Sequence, residues 1–329
     1  MKPPRLRTAT DNRFPRKPSV HDLAELSPAG MLEVVDISKR YHWGAPLAVD
    51  HVSLKVDRGE SVGLVGLNGA GKTTTLRVAC GVSLPQGGTT RIDGLDIGTQ
   101  KKEASRLVGW VPEYPTHDGR SRITDLLRYY SDLSGGVSRE RPLHLLEEWG
   151  IQGKARSRFR ELSLGQQKRV AIVVASLLTP RYFLLDEPFN GLDPVALEQF
   201  RTWMERVRGE GIGLLLSSHH LREVQAICDR VVVIHHGRVI SELTGTELDE
   251  RQSGPVNVVL DRMDAGAVTI LERFGQVEVK GKRARVTGAG LDAGAISSAL
   301  ASQGYAVRQI AQEQPELERV FLDLVGDAS

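Results

Sequence analysis

The stretch that decides the fold is Gly66-Leu67-Asn68-Gly69-Ala70-Gly71-Lys72-Thr73, which follows the short apolar segment Ser61 to Val65. It matches the pattern GxxxxGK[ST] in full. The apolar segment predicts a strand, and Lys72 to Cys80 predicts a helix, so the glycines lie in the turn between them. This order of strand, glycine-rich turn and helix predicts a phosphate-binding loop.

The chemistry of the loop depends on its residue types. Glycines let successive backbone N–H groups converge on phosphate oxygens, and the helix N-terminus adds the positive end of its dipole. Lys72 is expected to reach the β- and γ-phosphates, and Thr73 to ligate Mg²⁺. An ordinary glycine-rich turn is the alternative, which the flanking strand and helix disfavour. The predicted nucleotide-binding residues here are Gly66, Asn68, Gly69, Ala70, Gly71, Lys72, Thr73 and Thr74.

A second candidate site closes a later apolar strand. Tyr182-Phe183-Leu184-Leu185 runs directly into Asp186-Glu187, and ligands of open α/β sheets bind at the carboxyl ends of the strands. Asp186 suits the coordination sphere of Mg²⁺, and Glu187 is then placed to polarise the water that attacks the γ-phosphate. Asp186 alone would by default be a helix cap or a surface residue.

Strands and helices alternate along the chain, which predicts an α/β fold with a largely parallel sheet. Two strands open the folded part, at Met31 to Ile37 and Leu47 to Val56. Later strands are predicted at Phe183 to Leu185, Leu214 to Ser217 and Val231 to Ile234, and helices at Gln166 to Leu178, Val195 to Arg208 and His220 to Cys228.

Composition restricts the class of protein. The 329 residues carry a formal net charge of +2 and are 40% hydrophobic, which does not indicate a nucleic-acid coat protein. The longest apolar run, Val170 to Leu178, is far shorter than the roughly 20 residues of a membrane-spanning helix. Cys80 and Cys228 lie far apart and outside any CxxC spacing, so we expect buried thiols and neither a disulfide framework nor a zinc site.

Three regions are predicted from the changes in pattern. Residues 1–30 form a basic tail expected to be disordered, either a solvated extension or an anchor to anionic lipid heads. Residues 31–245 form the nucleotide-binding domain. Residues 246–329 follow a polar break and are predicted as a small α+β domain, with the order strand (Val256 to Leu260), helix, two strands, helix, strand, helix.

Leu162-Ser163-Leu164-Gly165-Gln166-Gln167 resembles the LSGGQ signature of ABC ATPases. In that family, the signature of one protomer meets the γ-phosphate of ATP held by the other. The resemblance therefore implies a head-to-tail dimer, here expected to be a homodimer, around two Mg²⁺-ATP. By the same resemblance Ser163, Gly165 and Gln166 are nucleotide-binding residues.

Other family landmarks fall in the expected order over Leu32 to Glu242. The resemblance assigns Tyr41 to adenine stacking, Glu113 to the Q-loop beside nucleotide and Mg²⁺, Asp193 to the D-loop and His219 to the switch position. It makes Glu187, His219 and Lys72 catalytic, and Thr73, Glu113 and Asp186 metal-binding. Tyr41 as simple packing and His219 as a structural histidine are the alternatives. The neighbouring His235 and His236 cannot easily share a metal, because adjacent strand residues face opposite ways.

The sequence departs from the family at two positions. Leu164 replaces the first signature glycine, and Glu113 replaces the usual glutamine. Neither change removes a group needed for hydrolysis, and both resemble variants of exporter-type subunits. The implied fold is a P-loop NTPase with a RecA-like core, an antiparallel β subdomain and a helical subdomain, plus the C-terminal α+β domain.

The resemblance implies an ATP-hydrolysing subunit of an ABC transporter, of exporter type, bound at the cytoplasmic face of the membrane to a separate transmembrane permease. The permease is expected to dock between Glu113 and Phe159, with Tyr114, Tyr129, Tyr130 and Trp149. The closing segment Pro315 to Leu322 resembles the last helix of such subunits. The alternatives are an ABC ATPase acting on ribosomes or DNA, and a regulatory protein that binds ATP without turnover. No nucleic-acid partner is expected.

Overall fold

The computed structural model describes residues 30–133, 140–244, 255–288 and 291–312. The strands are β1 Met31–Lys39, β2 Val49–Asp57, β3 Ser61–Val65, β4 Gly87–Ile92, β5 Leu95–Asp96, β6 Val108–Val111, β7 Tyr182–Asp186, β8 Gly213–Ser218, β9 Arg230–His235, β10 Arg238–Thr244, β11 Val256–Leu260, β12 Gln276–Lys280, β13 Arg283–Thr287 and β14 Val307–Gln312. The helices are α1 Lys72–Ala79, α2 Lys101–Ala104, α3 Ile123–Leu133, α4 Arg141–Glu148, α5 Leu164–Ser176, α6 Pro194–Gly209, α7 Leu221–Ile227, α8 Ala265–Glu272 and α9 Ala293–Ser302.

A six-stranded sheet, in the order β10-β9-β3-β8-β7-β6, holds the candidate site. All neighbours pair in parallel except β9 and β10. Strands β3, β7 and β8 are buried along their whole length, as expected for a parallel sheet covered on both faces. In the register, Val65 pairs with Ser218 and Asp186 with Ser217. The loops that follow these three strands therefore leave the same edge of the sheet.

A second sheet, of order β2-β1-β4-β5, is antiparallel. Its inward side chains share one core with α1 and with one face of the central sheet. The predicted first strand extends to Lys39, and the second starts at Val49 and not at Leu47. Strands β4 and β5, which the sequence did not reveal, complete this layer.

Helices α3, α4 and α5 form a helical layer on the other side of the central sheet. Trp149 and Phe159 are buried in the core that this layer shares with β7 and β8. Trp149 is only 2% exposed, so its predicted role in permease docking is wrong. Tyr114 and Tyr129 are exposed and remain available at this surface.

The C-terminal part forms a third sheet, of order β12-β13-β11-β14, with all pairs antiparallel. Helices α8 and α9 contribute to its hydrophobic core. All the buried residues of this core lie between Val256 and Leu300. The predicted order of elements is found through β14. The predicted last helix at Pro315 to Leu322 and the basic tail of residues 1–29 lie outside the described residues.

Two expectations from composition concern the described part of the chain. No helix in that part is long and apolar enough to cross a bilayer. Cys80 and Cys228 are free and buried, which confirms the prediction of buried thiols.

Candidate active site

A cavity of about 450 Å³ lies at the edge of the central sheet where β3, β7 and β8 end. It brings together the phosphate loop, which follows β3, and two residues from distant parts of the chain, Glu187 and His219. Glu113 also reaches it. The lining consists of Ala48, Leu67, Asn68, Gly69, Ala70, Gly71, Lys72, Thr73, Thr74, Glu113, Glu187 and His219.

The backbone of the loop requires its glycines. Gly69 and Gly71 have φ of 80° and 108°, a region that side chains disfavour. A Cβ atom at Gly71 would lie 2.6 Å from the carbonyl oxygen of Ala48. Gly71 is also the N-cap of α1 and provides no side-chain cap. The first N–H groups of α1 are therefore left to a ligand of the cavity, as in phosphate-binding loops.

Lys72 is buried beneath this loop, with 6% of its side chain exposed. Its Nζ donates to the carbonyl oxygens of Gly66 at 2.7 Å and Leu67 at 3.3 Å, and lies 3.4 Å from Glu187 Oε1. A buried ammonium needs such partners. The lysine thus connects the phosphate loop to the loop after β7.

Asp186 is held by two hydroxyl groups. Thr73 Oγ1 donates to Asp186 Oδ1 at 2.9 Å, and Ser217 Oγ donates to the same oxygen at 2.7 Å. Burial raises the pKa of Asp186, and the negative charges of Glu113 and Glu187 add to this, while the two hydroxyl groups oppose it. Removing a carboxylate from water in this way destabilises its charged form.

The oxygen atoms of Thr73 and Asp186 fit Mg²⁺, which prefers oxygen ligands. Glu113 adds a further carboxylate at the cavity wall. Within the described ranges there is no group of three or more His, Cys, Asp or Glu side chains that could hold a metal alone. Mg²⁺ is commonly held by one or two protein carboxylates together with phosphate and water.

Glu187 has an unusual backbone, with φ of 44°. For an L-residue this left-handed conformation costs roughly 1–2 kcal/mol. Its peptide groups are fixed on both sides: its N–H donates to Ser217 Oγ at 3.0 Å, and its carbonyl accepts from Lys168 Nζ at 2.5 Å. Strain of this kind persists where the surroundings fix the backbone, often at functional sites.

The side chain of Glu187 is only 7% exposed and is aimed by His219. His219 Nδ1 donates to Glu187 Oε2 at 2.8 Å, and the backbone N–H of His219 donates to the same oxygen at 3.3 Å. His219 also lines the cavity, so Glu187 and His219 both face it. This pairing places a base and a hydrogen-bonding group beside the phosphate loop.

Glu113 is positioned by the loop that follows β7. Asn190 Nδ2 donates to Glu113 Oε1 at 3.2 Å, and Asn190 Oδ1 accepts from His220 Nε2 at 2.9 Å. Burial and the neighbouring His219 lower the pKa of His220. The Q-loop position is thereby connected to the end of β8 through Asn190.

Tyr41 lies beside the phosphate loop and not among the cavity-lining residues. Its hydroxyl is 3.2 Å from Thr74 Oγ1, and half of the residue is exposed. Lys39 Nζ lies 5.8 Å from the centre of the Tyr41 ring, so the ring already has a cation as a neighbour.

The signature residues start α5 and do not line the cavity. Ser163 Oγ accepts from the N–H of Gln166 at 3.4 Å, and Gln166 Oε1 accepts from the N–H of Ser163 at 3.2 Å. This reciprocal pair is a capping box. A Cβ atom at Gly165 would lie 2.7 Å from the carbonyl oxygen of Gly191, so only glycine fits there.

Leu164, the first departure from the family pattern, packs on the D-loop of its own chain. A Cβ atom at Gly191 would lie 3.0 Å from Leu164 Cδ2, so the leucine lies against the face of that glycine. Asp193 caps α6 by accepting from the N–H of Ala196 at 2.8 Å, and it too lies outside the cavity lining.

Sequence reasoning missed Lys168, Asn190 and Ser217. Ser217 lies two residues before His219, and Asn190 lies three residues after Glu187, but their contacts bring together residues 30 to 77 positions apart. Lys168 follows the signature directly, yet a lysine in a helix is normally exposed. Here it is 1% exposed, which no local pattern indicates.

Comparison with known proteins identifies the family. The family described as ABC transporter matches residues 49–190. The lipopolysaccharide export system ATP-binding protein LptB of Escherichia coli is 36% identical over 206 residues, covering 61% of this chain and 86% of LptB. The Nod factor export ATP-binding protein I of Cupriavidus pinatubonensis is 34% identical over 248 residues, covering 73% and 76%. The bacitracin transport ATP-binding protein BcrA of Enterococcus faecalis is 28% identical over 299 residues, covering 90% and 96%.

Solved structures agree on the fold. An ATP-binding subunit of an ABC transporter has a TM-score of 0.62 and 34% identity, over 67% of this chain and 92% of that one. A nucleotide-free ATP-binding cassette with 23% identity reaches a TM-score of 0.59, over 67% and 94%. The predicted P-loop NTPase fold of the ABC cassette type is confirmed. The chain belongs to the family of ABC transporter ATP-binding proteins, the ATP-hydrolysing subunits of these transporters.

Proposed function

We propose that this subunit works as a head-to-tail homodimer around two Mg²⁺-ATP and powers export through a separate transmembrane permease. One observation supports the head-to-tail dimer in particular. Ser163, Gly165 and Gln166 start a helix, but they do not line the cavity that contains Lys72. A helix N-terminus that is free of its own site can serve the γ-phosphate of a nucleotide bound to a second copy.

The proposed hydrolysis uses the residues that the cavity brings together. The N–H groups of the loop and Lys72 bind the β- and γ-phosphates. Glu187 orients and deprotonates the attacking water, and His219, which holds Glu187, contacts the γ-phosphate. Thr73, Asp186 and Glu113 would hold Mg²⁺, which neutralises charge on the phosphates. Tyr41 stacks on adenine, and Asp193 lies at the dimer interface.

Export and the permease are supported by the relatives. Two of them are named for export, of lipopolysaccharide and Nod factor, and a third for transport of bacitracin. We propose residues 31–245 as the ATPase domain and 246–329 as an accessory domain. The exposed Tyr114 and Tyr129 mark the proposed docking surface, because aromatic residues are enriched at interfaces. We propose on this basis that the subunit binds at the cytoplasmic face of a membrane.

The dimer is tested with Glu187→Gln, which keeps the shape of the side chain but removes the base. We expect this variant to bind ATP, to lose turnover by about 100-fold or more, and to sediment as a dimer with ATP and Mg²⁺ but not with ADP. Unchanged steady-state hydrolysis would remove Glu187 from its role.

A matched variant tests the signature. Glu187→Gln combined with Ser163→Asp keeps a good N-cap on α5 but puts a negative charge where the partner's γ-phosphate would lie. We expect each protomer to bind ATP with unchanged Kd and the dimer to be lost. A dimer that persists would contradict the head-to-tail arrangement.

The permease is tested by isolating tagged Glu187→Gln protein with ATP and Mg²⁺ from gently solubilised native membranes. Mass spectrometry is expected to find a multi-span membrane protein in stoichiometric amount. Recovery with ribosomal or DNA-repair proteins and no membrane protein would reject the transport role and leave the ATPase assignment intact.

A further inference from the structure

We propose that Lys168, in the first half of α5, is a positioning residue for Glu187 that holds the backbone of the catalytic base in its active conformation. The proposal rests on the role of Glu187 in the proposed function. It adds a residue from the signature helix to the hydrolytic site of the same protomer.

The position of Lys168 is costly for a lysine. The residue is 1% exposed, and lysine is almost never fully buried without a partner. Its Nζ donates to the carbonyl oxygen of Glu187 at 2.5 Å, a contact between buried atoms. A methionine or leucine could fill the same volume at lower cost, so the ammonium group itself is informative.

The contact acts on a strained residue. With φ of 44°, Glu187 is in a conformation that relaxes unless both neighbouring peptide groups are held. Ser217 holds the N–H, and Lys168 holds the carbonyl. If Lys168 is removed, the carbonyl is released and the residue can turn toward a negative φ. The carboxylate would then leave its contacts with His219 and Lys72.

The charge of Lys168 matches its surroundings. Its pKa is lowered to about 8 by burial, while the charges of Glu113, Glu187 and Asp186 favour its protonated form. The carboxylate of Glu187 also lies 3.4 Å from Lys72 Nζ. Glu113, which replaces the glutamine usual in the family, adds one of these negative charges.

Helix α5 also contacts the loop after β7 at a second place. Leu164 and Gly165 both lie against Gly191, four residues beyond Glu187. The helix that begins with the signature thus holds the catalytic loop at both of its ends.

The test is the steady-state kinetics of Lys168→Met, which keeps the volume and removes the donor. We expect kcat to fall by about 10- to 100-fold, the loss typical of a misplaced catalytic group, with KM and Kd for ATP little changed. Lys168→Arg, which keeps charge and donors, is expected to recover most of kcat. Wild-type kcat in Lys168→Met would overturn the proposal, as would parallel losses of kcat and ATP binding. If Lys168→Met does not fold, Lys168→Gln replaces it, with the same two outcomes.

Two further proteins make the result specific. In the double variant Lys168→Met/Glu187→Gln, we expect no loss of kcat beyond that of Glu187→Gln, because Lys168 acts through Glu187; additive losses would contradict this. Ser176→Ala is the control: Ser176 is buried two turns along α5, where it donates to the carbonyl of Ile172, and its kcat should equal that of wild type. Loss of turnover in Lys168→Met but not in Glu187→Gln would instead reject the proposed function.

Discussion

Asp186 and Asp93 are both buried aspartates, but their surroundings differ. Asp93 accepts from Tyr182 Oη at 2.7 Å and pairs with Arg181 and Arg58. Asp186 has two neutral hydroxyl donors, and nearby carboxylates raise its pKa further. A buried charge that is hydrogen-bonded only by neutral donors is retained for binding and reduces stability.

We therefore predict that Asp186→Asn stabilises the protein without ligands by about 1 kcal/mol. The amide keeps the shape of the side chain and removes the desolvated charge. Thermal unfolding measures this, with and without Mg²⁺-ATP. Wild type should gain stability from added Mg²⁺-ATP, and the variant should lose both most of this gain and Mg²⁺-dependent turnover.

Asp93→Asn is the matched control for this prediction. It leaves Arg181 without its buried partner, and breaking such a pair typically costs about 3–5 kcal/mol. The two equivalent substitutions are thus expected to change stability in opposite directions. If Asp186→Asn also destabilises the protein, the two hydroxyl contacts outweigh the cost of the buried charge.

Residues of the site differ in how far the sequence could predict them. Lys72, Thr73 and Glu187 were predicted because their chemistry is fixed by neighbours in the chain. Lys168 was not, because its role depends on which face of α5 meets the loop after β7. That packing is a property of the folded core and leaves no trace in spacing or composition.

At the scale of elements, the start of α5 contains both the capping box and Leu164. The capping box of Ser163 and Gln166 was not predicted as such, although the signature was. Leu164, which replaces the first glycine of the signature, packs on Gly191 in the structure. The leucine that departs from the family pattern therefore makes its contact within its own protomer.

We predict that Leu164→Gly, which restores the family residue, lowers the free energy of unfolding by about 1 kcal/mol. The change removes the contact with Gly191 and makes the start of α5 more flexible. Chemical denaturation measures it. Leu164→Ala separates the two causes, because alanine loses the contact but keeps helix propensity. Equal stability of all three proteins would show that the leucine contact does not contribute to the free energy of unfolding.

Prediction of elements succeeded where burial is continuous or alternates along the strand, and failed where neither pattern is present. Strands β3, β7 and β8 are uniformly apolar or nearly so, and each was found. Strand β4 has the sequence Gly87-Gly88-Thr89-Thr90-Arg91-Ile92 and only two buried residues, so its place in the sheet comes from pairing with β1. Strand β6 has four residues and precedes Pro112, too short for a periodic signal.

On the scale of the whole molecule, the core of the third sheet shares no buried residue with the two cores of the ATPase part. Separate cores are typical of units that fold independently. The division proposed at residue 245 can therefore be tested by removing one unit.

We predict that a chain ending at residue 245 folds, binds ATP with the Kd of the full chain and retains its turnover, since every cavity-lining residue precedes that point. Calorimetry and ATPase assays measure these properties. The full chain under the same conditions is the control. A truncated protein that folds but does not bind ATP would mean that residues beyond 245 complete the nucleotide site.

The two buried cysteines have a practical consequence. Burial raises the pKa of the Cys80 thiol to about 12 and also raises that of Cys228, so neither presents a reactive thiolate near neutral pH. The two native cysteines are therefore not expected to react with thiol-directed labels. A single cysteine introduced at Trp43, which is fully exposed, could carry a spin label without any other substitution. Two such labels in the proposed dimer would report the distance between the Trp43 positions of its protomers through each round of ATP turnover.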